Sequence, residues 1–218
     1  MKLKIAAALI ALAASSHGAL VKLTSFAETY NALDDYGVVL SNGNPVASGA
    51  GVASVIVFSS LNDTQVAALA AAQDYSTLFA PGNFLTIGSD NFTNFAGAGY
   101  GEVDGFFDIG VTGYVPTVTN VTLYAYFTSG SELGLFKTNS TLVADPAPPT
   151  PESSYILSLS DGAAVIGSFD TYVIPSYGPG GTTNVTGNAF KLVNPVPEPS
   201  AALLGALGAF GLLRRRRA

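Results

Sequence analysis

Between Val121 and Thr128 apolar and polar residues alternate without a break. Val121, Leu123, Ala125 and Phe127 fall on one side, and Thr122, Tyr124, Tyr126 and Thr128 on the other. In an extended chain successive side chains point to opposite faces, so this is the pattern of a strand with one apolar and one polar face. Val52–Ser59 (VASVIVFS) is a denser apolar run and reads as a central strand. Shorter strands are expected at Tyr36–Leu40, Phe84–Gly88, Val103–Val111, Glu132–Lys137, Ser154–Leu159, Ala163–Phe169 and Phe190–Val193. Turn chemistry separates them: Ser41-Asn42-Gly43-Asn44-Pro45 contains Asn-Gly, and Gly97–Gly101 and Gly178–Gly181 are loops.

One helix interrupts the pattern. Gln65–Gln73 (QVAALAAAQ) is rich in Ala and Leu and follows the capping candidates Asn62, Asp63 and Thr64. Val66, Leu69 and Ala70 share a face that would cover one end of a sheet. A further turn or short helix is expected at Ala27–Asp35. The Pro-rich stretch Asp145–Glu152 reads as a stiff loop, because only about forty residues follow it before the tail, too few for a second fold without disulfides. The expected fold is mainly β, an antiparallel β-sandwich with one short helix, in a single domain over residues 19–194. With 13 Phe and 10 Tyr in 218 residues, a disordered chain is excluded.

The two ends have their own physics. Residues 1–18 read as a secretory signal peptide: Lys2 and Lys4, the apolar run Ile5–Ala14, then small residues allowing cleavage between Gly18 and Ala19. Ala13-Ala14-Ser15 is a second candidate cut. Ten helical residues span about 15 Å, half of a bilayer core of about 30 Å, which disfavours a retained anchor. Residues 195–218 contain Pro197, Glu198 and Pro199, then the apolar run Ala201–Leu213, then Arg214, Arg215, Arg216 and Arg217. Prolines fix an extended, stiff segment. The run, interrupted by Gly205, Gly208 and Gly211, makes about 20 Å of helix, short for a span, although snorkelling arginines and local thinning accommodate such a mismatch. Basic residues favour the cytoplasmic side, so the body would lie outside and the arginines inside.

These three elements, in this order at the terminus, resemble the PEP-CTERM sorting signal of exported bacterial proteins. The resemblance implies a transient inner-membrane helix over 201–213 and recognition by an exosortase, a membrane-embedded cysteine protease with a transpeptidase-like role. Signal peptidase would act at the other end. It also implies a Gram-negative host that makes exopolysaccharide, with delivery to the cell surface or extracellular matrix. It covers about a tenth of the chain.

Charge changes once the ends are removed. The body retains Lys22, Lys137 and Lys191 against fourteen acids, a net of −11, whereas the full chain carries −6. Nucleic acid is therefore excluded as a partner by phosphate repulsion. The chain has no Cys, and its single His17 lies in the signal peptide. Ser-His-Asp, Cys-His and histidine-ligated metal catalysis are thus unavailable to the mature chain.

Carboxylates are the remaining chemistry. Glu102, Asp104 and Asp108 would share one face if 103–111 is a regular strand, and such oxygens suit a hard cation such as Ca²⁺ or simply form a solvated acidic edge. No full Ca²⁺ loop pattern accompanies them, so no cofactor is expected. A glycosidase would need two carboxylates facing each other across a cleft. Tyr124 and Tyr126, on the polar face of their strand, are candidates for stacking on sugars or for packing under loops. Five Asn-x-Thr sequons begin at Asn62, Asn91, Asn120, Asn139 and Asn184. The reading is an exported, non-enzymatic surface or matrix protein; the alternatives are a carbohydrate-binding module and a carboxylate glycosidase.

Overall fold

The computed structural model describes residues 19–25, 36–95, 103–143, 154–177 and 183–195. Among the described residues thirteen strands and two helices follow one another. They are β1 (Ala19–Thr24), β2 (Tyr36–Val39), β3 (Val52–Phe58), helices α1 (Asp63–Ala71) and α2 (Tyr75–Leu78), β4 (Phe84–Asn91) and β5 (Thr93–Phe95). Next come β6 (Val103–Phe106), β7 (Asp108–Tyr114), β8 (Val121–Ser129) and β9 (Glu132–Leu142). The last four are β10 (Ser154–Leu157), β11 (Gly162–Ile166), β12 (Ser168–Tyr177) and β13 (Thr183–Lys191).

The mainly β expectation holds. The central layer is a five-stranded antiparallel sheet in the order β11-β9-β8-β3-β4. The alternating segment 121–128 is β8, and the dense run 52–59 is its neighbour β3. Three smaller sheets, β10-β1-β7, β12-β13-β2 and β5-β6, complete the described residues. Two pairings depart from the antiparallel expectation: β1 with β10 and β13 with β2 run parallel. Each joins strands far apart in sequence, a pairing that local hairpin signals do not report.

The central strands of the five-stranded sheet are buried on both faces. One face, with Val55, Leu123, Phe127 and Phe136, packs into a core shared with Val21 of β1 and Ile109 of β7. Gly88 permits the closest approach there: a Cβ on it would lie 2.3 Å from Val111 Cγ2. The other face, with Ile56, Phe58, Tyr124 and Leu135, is covered by Val66 and Ala70 of α1 and Leu78 of α2. Both faces being covered explains why β3 reads as a nearly continuous apolar run.

Three sequence expectations are corrected. Ala163–Phe169, expected as one strand, is divided between β11 and β12 in different sheets, with Gly167 (φ 107°) between them. The helix begins at Asp63 and ends at Ala71, not at Gln73, because Gln73 adopts a left-handed conformation (φ 56°) that stops it. A second helical turn, α2, follows at once, capped by the Asp74 carboxylate on Thr77 N–H at 3.1 Å. The expected strand 103–111 is two strands in two different sheets, β6 paired with β5 and β7 paired with β1. Gly105 adopts φ 90° with Val38 O 2.6 Å from the position of a Cβ. Phe107, between the strands, bonds instead to Ser25: its N–H donates to Ser25 Oγ and its carbonyl accepts from Ser25 Oγ, each at 3.0 Å. The expectations for 1–18, 27–35, 97–101, 145–152, 178–181 and 197–218 lie outside the described residues.

Candidate functional site

The first turn of α1 meets β8 and β9 through Asp63. Asn62 is its N-cap, in an extended conformation. Its side-chain oxygen accepts from Gln65 N–H, and the Gln65 side chain accepts from Asn62 N–H, each at 3.0 Å. This reciprocal capping box satisfies two of the backbone donors that a helix start leaves open. It also sets the direction in which the next side chain, Asp63, points.

Asp63 points at the sheet. Tyr124 Oη donates to Asp63 Oδ1 at 2.7 Å, and Thr122 Oγ1 donates to Oδ2 at 2.9 Å. Lys137 Nζ lies 2.6 Å from the same Oδ2. Thr122 and Tyr124 are two apart on β8 and so share a face, and Lys137 is the register partner of Tyr124 on β9. Partial burial pushes the Asp63 carboxyl up, but Lys137, Tyr124 and Thr122 outweigh it and hold the group below its ordinary 3.8. Burial, with the Asp63 carboxylate as acceptor, pushes the Tyr124 phenol far above 10. Burial also raises Tyr126.

A cleft of about 570 Å³ opens beside this junction. Its walls mix polar and apolar groups: Ser59, Ser60, Asn62, Thr64, Gln65 and Asn120 stand beside Phe58, Leu61 and Val121, and Asp63 is the one carboxylate among the lining residues. Asn120 turns into β8 in a left-handed conformation (φ 59°), its N–H donating to Leu142 O at 2.7 Å. Asn tolerates that conformation better than most residues. The amide of Asn62, first residue of one sequon, is engaged as the helix cap, and Asn139 of another donates to Asp161.

The tyrosines chosen as sugar-stacking candidates are placed differently. Tyr124 is 1% exposed, its ring edge-on to Phe58 at 5.2 Å. Tyr126 is half-buried and stacked on Phe79 at 4.4 Å, with Phe84 edge-on at 6.4 Å. Their rings are occupied by protein because α1 and α2 cover the face that alternation alone marks as polar. A Tyr that buries its ring and keeps a bonded hydroxyl satisfies the same pattern.

The acidic candidates separate as well. Asp104 lies on β6 and accepts from Ser48 N–H at 3.2 Å, whereas Asp108 is the exposed first residue of β7 in another sheet. Glu102 lies outside the described residues. The shared face that would have offered these oxygens to Ca²⁺ depended on one regular strand, and Gly105 and Phe107 break it. Among the described residues no group of three or more His, Asp or Glu is placed to hold a metal ion. Ala19 opens β1, buried opposite Tyr114, while Gly18 lies outside the described residues. The network of Asp63, Thr122, Tyr124 and Lys137 was not anticipated. The signal for it was present, since Asp63 follows the cap and Lys137 is one of only three lysines in the body, but the register that unites them was not.

The last described segment carries the decisive observation. Leu133 and Val193 exchange reciprocal backbone hydrogen bonds of 2.9 Å, which hold the chain to the β8–β9 hairpin up to two residues before Pro195. From Pro195 onward the sequence matches the PEP-CTERM protein-sorting motif, over residues 195–217. The chain carries a PEP-CTERM sorting signal. No curated protein and no solved structure matches the chain. The PEP-CTERM motif implies export and exosortase processing at a membrane. Pro197, Glu198, Pro199 and the arginines 214–217 fall within it. Among the described residues no helix is long and apolar enough to cross a membrane, and the apolar run 201–213 lies outside them.

Proposed function

We propose that this is an exported, non-enzymatic protein, trimmed by signal peptidase at Gly18–Ala19 and by an exosortase at its tail. It is then left at the cell surface or in an exopolysaccharide matrix in a structural or adhesive role. The observation that carries this reading is the PEP-CTERM motif at 195–217, beginning two residues after Val193 is bonded to Leu133. The body over 19–194 is a β-sandwich in this reading. Its layers are the five-stranded sheet and the β10-β1-β7 sheet, supported by the core that Val21 and Ile109 share with Val55 and Phe127. A non-enzymatic role is favoured by the lack of His and Cys after residue 18. The carboxylate at the cleft, Asp63, is held ionised by a lowered pKa, whereas a glycosidase acid needs a raised one.

Cells with and without an exosortase test the proposal by fractionation and by mass spectrometry of the C-terminus. Loss of Arg214–Arg217 only when the exosortase is present is the expected result. A mature form keeping the arginines in both strains would overturn it.

A second reading, binding of a neutral carbohydrate, is favoured by the cleft and not by the tyrosines. Its amides and hydroxyls from Asn62, Thr64, Gln65 and Asn120 are donors and acceptors suited to sugar hydroxyls. Glycan-array binding that falls at least tenfold in Asn120→Gly, with an unchanged melting temperature, would support it. Absence of binding to any neutral glycan would remove it.

A further inference from the structure

We infer that, while the tail anchors the precursor, the end of the fold made by the β8–β9 hairpin and the 41–44 turn abuts the phospholipid bilayer. The α1 cleft then opens at the opposite end, away from the lipid. The inference rests on the sorting reading above and adds an orientation and a membrane-facing surface to it.

The register places the two ends. β8 starts at Val121, in the wall of the cleft, and ends at Ser129 in the hairpin. β3 runs the other way, with Val52 opposite Thr128 and Val57 opposite Leu123, so Phe58 and Ser59 also lie at the cleft end. At about 3.3 Å per residue the eight steps from Val121 to Ser129 separate hairpin and cleft by about 26 Å. The chain leaves the fold at the hairpin end: Val193 is bonded to Leu133, and Ser131 Oγ donates to Asn194 Oδ1 at 3.4 Å.

Only seven residue steps connect Asn194 to Ala201, where the apolar run begins. At about 3.6 Å each, their greatest reach is about 25 Å. The head-group layer takes up about 5–8 Å of that. To turn the cleft toward the bilayer, the linker would have to run back along β8 and then cross the head groups, about 31 Å or more. It is too short to do so, and Pro195, Pro197 and Pro199 stiffen it.

The surface left facing the bilayer is polar and tied together. Ser41 N–H and Oγ donate to the two Glu132 carboxylate oxygens at 2.6 and 2.7 Å, fastening the turn to the hairpin. Asn42, Gly43 and Asn44 are exposed beside them. This surface can exchange hydrogen bonds with phospholipid head groups, and both Glu132 carboxylate oxygens already accept from Ser41.

The absence of cysteine makes the test direct. Single variants Asn42→Cys and Ser131→Cys report the hairpin end, and Ser60→Cys and Thr119→Cys the cleft end. Each precursor, isolated from an exosortase-lacking host, is labelled with a fluorophore. It is then placed in phosphatidylethanolamine–phosphatidylglycerol vesicles carrying head-group spin labels. The expected result is quenching several-fold greater at 42 and 131 than at 60 and 119, with the contrast lost when a 20-residue Gly-Ser spacer is inserted after Pro195. Equal or reversed quenching in vesicle-bound precursor would overturn the orientation alone, and a contrast that survives the spacer would overturn the short linker as its cause. A precursor that does not float with vesicles would overturn the anchoring reading and the orientation with it.

Discussion

Tyr124 Oη donates to Asp63 Oδ1 at 2.7 Å, joining the middle of the central sheet to the first residue of the helix that covers it. Lys137 completes the junction from the neighbouring strand. Both ends of the Asp63–Lys137 pair are about two-fifths exposed, so the ion pair itself contributes less than about 1 kcal/mol. The buried phenol matters more, because removing its acceptor leaves a desolvated hydroxyl.

Asp63→Ala is therefore expected to cost about 1–3 kcal/mol and Tyr124→Phe about 0.5–1.5 kcal/mol in urea denaturation. The double variant should lose less than the sum, with a coupling of at least about 0.5 kcal/mol. Strict additivity would show that the bond contributes nothing to holding α1 on the sheet.

Acid should weaken the junction in a defined direction. Asp63 titrates below 3.8 in the folded protein, so between the folded and unfolded values the unfolded chain binds more protons. Its contribution is present above the unfolded value and is lost as pH falls through the folded one. The urea midpoint of the native chain should drop below about pH 4 more steeply than that of Asp63→Asn. Parallel curves would exclude Asp63 as the source.

At the alkaline end the sign reverses. Tyr124 is raised, so its contribution is complete below about pH 10 and declines as the unfolded phenol begins to ionise. In tyrosinate absorbance titrations, Tyr124→Phe should leave the phase near pH 10 of the folded protein unchanged. It should remove about one-tenth of the amplitude after unfolding, one Tyr of 10. A loss of amplitude in the folded protein would show that the phenol is accessible.

The helix start is separable from the carboxylate. Asn62→Ala removes one half of the capping box and should cost about 0.5–2 kcal/mol, whereas Asn62→Asp should be nearly neutral. Equal losses in both variants would mean that the cap bond is not what stabilises α1.

Gly105 decides whether 103–111 is one strand or two. Gly105→Ala must place a Cβ 2.6 Å from Val38 O at φ 90°, and should cost about 1–3 kcal/mol. A variant as stable as the parent would show that the break between β6 and β7 does not need glycine.

Strands and helix were legible wherever a residue's own neighbours decide its state. The alternation at Val121–Thr128, the apolar run at 52–59 and the Asn62 cap each describe a local period or a local bond, and each element appeared where expected. The site was not legible in this way. Tyr124 and Tyr126 stand on a face that alternation marks as polar, and whether that face meets water, sugar or a helix depends on what folds over it. Asp63 and Lys137 are 74 positions apart in sequence and meet only through the register of β8 and β9.

The sequence by itself determined the sorting tail, the β-rich character and the capped helix α1, since these follow from composition, periodicity and adjacent residues. Tertiary structure alone decided the parallel pairings of β1 with β10 and β13 with β2, the division of 103–111 between two sheets, and the burial of Tyr124. The physical reason is the same in each case. These features are set by contacts between segments distant in the chain, whose energies appear only once the backbone has closed the loops between them.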